Sequence, residues 1–70
     1  MIKNKQLIAY MKYHYKMINE HKERGILPAR LLLYRWNEYN NNPESDLERK
    51  LFHDALYHWT KYLRLLNQEP

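Results

Sequence analysis

Cysteine is absent from this 70-residue chain, glycine occurs once and proline three times. Without cysteine there are no disulfides and no thiolate metal sites, so two of the usual supports of a small domain are missing. What is left to stabilise a domain this short is close helix packing or association with a second subunit. A single glycine and three prolines leave few places for tight turns, which points to long helices. Serine and threonine occur once each, as Ser45 and Thr60. Nucleophilic catalysis needs an activated Ser, Cys, Thr or Lys beside a base, and this inventory offers almost no candidates. Gly25 alone cannot build a glycine-rich phosphate loop. The chain therefore reads as non-enzymatic, with no catalytic residue, no cofactor and no metal expected.

Long apolar runs are also missing. The longest, Leu31-Leu32-Leu33-Tyr34, is far too short to span a bilayer. The first ten residues, MIKNKQLIAY, lack the continuous apolar stretch of a signal peptide. With the absence of cysteine, this predicts a cytoplasmic protein with no membrane partner.

Hydrophobic residues make up 44% of the chain and charged residues 29%, a balance that supports a folded core. Twelve Lys and Arg against eight Asp and Glu give a net charge of +4. That excess permits anionic partners without selecting one. Length and composition predict one helical domain over residues 1–70.

The periodicity predicts three helices, at about residues 4–24, 28–40 and 44–66. In the first, Leu7, Met11, His14, Ile18 and His21 repeat four, three, four, three, the seam of a helix lying along another. Ile8 and Tyr15 widen it on one side, Tyr10 and Met17 on the other. Asn4 suits the N-cap, leaving residues 1–3 frayed, and Gly25 suits the left-handed position after the last turn. Glu20 and Arg24 stand four apart in the favourable order, as do Asp46 and Lys50 in the third helix. Pro28 suits the first turn of the second helix, whose Leu31, Leu32, Leu33, Tyr34, Trp36 and Tyr39 make it apolar on nearly every side. Asn40-Asn41-Asn42 favours a turn. Asn42 and Ser45 are alternative caps for the third helix, and Ser45 with Glu48 has the spacing of a capping box.

The third helix carries the strongest pattern. Phe52, Ala55, Trp59, Tyr62 and Leu66 repeat three, four, three, four, flanked by Leu56 and Leu63 on one side and Leu47, Leu51 and Leu65 on the other. At ~100° per residue this face covers roughly half the circumference, which requires at least two neighbours. The expected architecture is all-α, with two long helices packed around a short apolar middle helix. A middle helix of about 18 Å against long helices of roughly 30 Å leaves seam uncovered. This predicts a dimeric helical bundle, a homodimer, or a standing surface for another protein.

Residues lying off the best core faces are the candidates for that surface: Arg30, Leu33 and Tyr34 on the second helix, Tyr57 and Arg64 on the third. Tyr and Arg are among the residues that anchor protein interfaces. The expected function is a small regulator that binds another protein, as an inhibitor or adaptor does, by steric occlusion or bridging. The inhibitors and adaptors of phages and mobile elements offer an analogy of size and class only. The alternative is a small basic DNA- or RNA-binding regulator using Lys5, Lys12, Lys16, Arg24 and Arg35, with Tyr13 as a stacking surface. A helix-turn-helix fits poorly, because the third helix is broadly apolar and follows Asn-Asn-Asn-Pro.

The histidines raise two further expectations. Asp54 and His58 stand four apart and could hold two metal ligands, with His14 or His21 as a third, but no specific spacing motif supports it. Charging a seam histidine would also disfavour burial, so association should weaken at about pH 5 to 6. An unchanged oligomer mass between those values and neutral pH would contradict that.

Overall fold

The computed structural model describes residues 4–68, which form three helices: α1, Lys5–Glu23; α2, Leu27–Asn41; and α3, Asp46–Gln68. No strand occurs among the described residues. The expected fraying of residues 1–3 lies outside them, and α3 continues two residues past its expected end at about 66.

Local chemistry sets each boundary. Asn4 caps α1, its Oδ1 accepting from the N–H groups of Gln6 at 3.0 Å and Leu7 at 3.2 Å. At the other end Gly25 takes φ +81°, a conformation that penalises a Cβ. Gly25 N–H donates to Lys22 O at 2.9 Å and Ile26 N–H to His21 O at 3.0 Å. These two bonds satisfy carbonyls that the last turn would leave orphaned, in the Schellman arrangement. α2 begins at Leu27, one residue earlier than expected, so Pro28 sits in the second position of its first turn. The Asn42 amide N–H closes α2 onto Glu38 O at 3.0 Å.

Ser45, rather than Asn42, caps α3: its Oγ accepts from Glu48 N–H at 3.2 Å. Only half of the capping box forms. The Ser45 N–H that the glutamate would take donates instead to Asn42 O at 3.1 Å. Glu48 Oε2 is left buried without a hydrogen-bond partner. The expected Asp46–Lys50 pair is also replaced, Asp46 meeting Arg49 at 3.2 Å.

α2 lies between the other two helices. It packs closely against both, whereas no Cα of α1 comes within 8 Å of one in α3 among the described residues. Large side chains fill that gap. The His21 ring meets Trp59 edge-on at 5.6 Å and Tyr62 at 5.7 Å. Trp59 Nε1–H donates to Tyr10 Oη at 3.2 Å. Leu7, Tyr39 and His53 line one end of the molecule together, while His21 and Tyr62 meet further along. α1 and α3 therefore run parallel, with α2 antiparallel between them.

The core is Met11 and Ile18 from α1, Ala29, Leu32 and Tyr39 from α2, and Phe52, Ala55 and Trp59 from α3. Phe52 packs in the α2–α3 layer between Trp36, at 5.2 Å, and Tyr39, at 5.5 Å. All three α3 core residues lie on the expected seam, and the centre of the wide α3 face has the two neighbours it requires. The seam is not followed to its end. Leu66 is 41% exposed, because α1 stops at Glu23 while α3 runs on past Tyr62. From Arg64 onward every described residue is exposed. Leu47 and Leu65, on the flank of the face, are exposed too, and Asp54 and His58 occupy the same flank between them.

The middle helix is longer than expected, 15 residues against 19 and 23 for its neighbours. It covers more of the long helices than a helix of about 18 Å would. The whole measures 42 × 21 × 20 Å, with a radius of gyration of 12.2 Å. A sphere-like chain of this length would have about 11 Å. The excess is the elongation of helices stacked side by side.

Candidate functional site

α1 and α2 together form an open groove of about 550 Å³. Its lining comes from Tyr15 and Lys22 on α1 and from Arg30, Leu33, Tyr34, Trp36, Asn37 and Asn40 on α2. No α3 residue contributes, so the third helix covers a different side of the α1–α2 pair. Helical spacing explains the composition. Leu33, Trp36, Asn37 and Asn40 fall at i, i+3, i+4 and i+7, one stripe of α2, and Tyr15 and Lys22 are one heptad apart on α1.

Leu33 and Trp36 are half-buried and pack on the core, so they make the floor. Tyr15 and Tyr34, 52% and 54% exposed, make the rims. The Arg35 guanidinium carbon lies 5.1 Å from the Tyr34 ring centroid, inside cation–π range, and holds one face of that ring. Among the described residues, the charged side chains of the lining are Lys22 and Arg30, both cationic and both exposed. Asn37 and Asn40 stand at the other end. Asn40 Nδ2 donates to Trp36 O at 2.9 Å, which fixes its side chain on the stripe. The groove thus has an apolar floor, aromatic rims, a basic end and an amide end.

Of the five residues expected at a protein interface, the fold brings Arg30, Leu33 and Tyr34 into this groove. Tyr57 and Arg64 are exposed on α3, one heptad apart, and do not line it. Tyr15, Lys22, Trp36, Asn37 and Asn40 were missed. In the sequence Tyr15 widens the α1 seam, Trp36 belongs to the all-round apolar character of α2, and Asn40 falls in a turn-favouring run. A stripe at i, i+3, i+4, i+7 on α2 was present in the sequence but hidden by that helix's apolar character all round.

The residues of the nucleic-acid alternative do not converge. Lys5, Lys12 and Lys16 are exposed along α1, and Tyr13, on its outer side, is 85% exposed. Arg24 lies at the far end of α1 from Lys5, at least about 28 Å away at 1.5 Å per residue. Arg35 is half-buried on Tyr34.

The histidines are placed in local contacts. His14 sits between Tyr10, at 4.3 Å, and Tyr13, at 5.0 Å. His21 Nδ1 donates to Met17 O at 2.8 Å, since a carbonyl can only accept. Asp54 and His58 pair at 3.7 Å on the surface. Among the described residues no three His, Asp or Glu side chains come together as metal ligands. The two aliphatic hydroxyls are engaged with the backbone: Ser45 in the α3 cap, Thr60 donating to Tyr57 O at 2.9 Å. No described helix is long and apolar enough to cross a membrane.

The fold and groove define a small all-helical protein with an open, mixed aromatic and basic surface. Compared with known proteins, the chain matches no family model, no curated protein and no solved structure.

Proposed function

We propose that this protein is a non-enzymatic regulator of the cytoplasm that acts by binding another protein through the α1/α2 groove. The observation that carries the reading is the groove itself, where Arg30, Leu33 and Tyr34 join Tyr15 and Trp36 on one open face. Aromatic and arginine side chains over a half-buried apolar floor have the composition of interface anchors. Binding blocks or bridges the partner sterically and requires no chemistry from the chain.

The experiment is affinity capture from lysate with the intact chain beside the double variant Arg30→Glu/Tyr34→Ala. Both side chains are exposed, so circular dichroism should show the variant folded. A protein retained by the native chain and lost by the variant supports the reading. Equal retention by both removes the groove from it.

Homodimerisation is part of the proposal, through the apolar overhang of α3 at Leu65 and Leu66. Light scattering over a concentration series should approach twice 8.8 kDa. A mass fixed at the monomer value at the highest concentrations contradicts it.

A second reading, binding to DNA or RNA, is favoured by the exposed Lys5, Lys12 and Lys16 beside the 85% exposed Tyr13. Tight binding to generic duplex or single strands, with a steep loss on adding salt, would move it ahead.

A further inference from the structure

We propose that the occupant of the α1/α2 groove is an amphipathic helix of the partner protein with carboxylates in its terminal turn, seated between Lys22 and Arg30. This rests on the protein-binding reading above and names the chemistry of the partner.

Three features of the groove select such a segment. Its length suits a helix: Arg30 to Asn40 is ten residue steps along α2, about 15 Å, or nearly three turns of a helix laid alongside. Apolar anchors at i, i+3 or i+4 and i+7 fit within that length and meet Leu33 and Trp36 between the tyrosine rims. The seat also has the geometry of helix packing. α1 and α2 are close antiparallel neighbours, and a helix set in their shared groove becomes a fourth member of the bundle. Finally, among the described residues the lining contains two cations at one end and no carboxylate. A partner bearing basic residues there would meet like charge, whereas Asp or Glu would meet Lys22 and Arg30. At the opposite end Asn37 and Asn40 offer neutral amide groups, so the complementary charge is required at one end only. That distribution fits a peptide better than a nucleic acid. A single strand presents a phosphate at every nucleotide and needs cations along the whole track, with ring faces free for stacking. Among the lining residues the cations occupy one end, and Arg35 already covers one face of Tyr34.

Charge reversal tests this directly. A displayed library of 15-residue helical peptides, with apolar residues fixed at heptad spacing and all other positions randomised, is selected on the intact protein. It is selected in parallel on Lys22→Glu/Arg30→Glu, whose fold is checked by circular dichroism. The native chain should enrich Asp and Glu in one terminal turn, and the variant Lys and Arg in the same turn. The best acidic peptide should lose at least about tenfold in affinity for the variant. Titrated into the isotope-labelled native chain, it should shift the amide signals of Tyr15, Lys22, Leu33, Tyr34 and Trp36.

No enrichment, or the same charge preference on both proteins, overturns the proposal. So does an enriched peptide that shifts only amides of other surfaces, although protein binding as such would then stand. A fifteen-nucleotide thymidine strand that shifts the same amides more tightly than the peptide assigns the groove to nucleic acid. Concentration-dependent shifts at these amides without any peptide assign it to a second copy of the chain.

Discussion

Trp59 is the residue on which the packing of α1 against α3 depends. It is fully buried, lies against His21 and Tyr62, and donates its indole N–H to Tyr10. Because the α1 and α3 backbones stay more than 8 Å apart, a smaller side chain here leaves a void that no main-chain shift closes easily. Trp59→Ala should therefore cost about 3 to 5 kcal/mol. A chain of this size has only about 4 to 10 kcal/mol in total. In urea titrations followed by circular dichroism, that variant should be largely unfolded or close to it. Tyr10→Phe asks a finer question, since it keeps the ring and removes the acceptor. It should cost about 1 kcal/mol, and up to about 3 if water cannot reach the stranded indole N–H. No measurable loss would mean that the bond adds nothing beyond the packing.

At the scale of elements, the connection between α1 and α2 gives the cleanest separation of causes. An added Cβ at Gly25 meets nothing within 4 Å, so steric contact with neighbours is no obstacle. The penalty for Gly25→Ala is the left-handed backbone alone, about 1 to 2 kcal/mol, and Gly25→Asn should lose less because asparagine tolerates that region. Equal midpoints for the two variants in thermal melts would contradict this.

The helices were legible because their signals are local. Asn4, Gly25, Pro28 and Ser45 mark boundaries through bonds or dihedrals within a few residues, and the Phe52–Ala55–Trp59 spacing follows from the helical period. What was not legible depends on neighbours distant in sequence. Tyr15 lay on the same apolar face as Met11 and Ile18, yet it is half exposed, because α3 covers another side of that helix. Leu66 continued the α3 seam, yet it projects past the end of α1. The groove was half visible: Arg30, Leu33 and Tyr34 were off the core faces, but only the pairing of α1 with α2 brings Tyr15 and Lys22 beside them. Periodicity shows which face of a helix is apolar. It does not show which neighbour covers that face, or how far along.

For the molecule as a whole, the surplus apolar surface is more confined than the width of the α3 face suggested. The centre of that face is buried by the chain's own α1 and α2. What stays open on that face is the α3 overhang and the isolated Leu47, divided along the flank by the Asp54–His58 pair; elsewhere the α1/α2 groove and Leu27, 68% exposed, stay open too. If the overhang joins two copies, Leu65→Gln/Leu66→Gln should leave the fold intact and abolish the concentration dependence of the mass in light scattering. An unaltered mass profile would separate self-association from α3.

If a protein partner is held in the α1/α2 groove, hydrogen–deuterium exchange on the captured complex will locate it there. Protection should appear over residues 15–22 and 30–40 and be absent around Tyr57 and Arg64 and around Lys5, Lys12 and Tyr13. Protection centred on either of those other surfaces, with residues 30–40 exchanging as in the free protein, would contradict it.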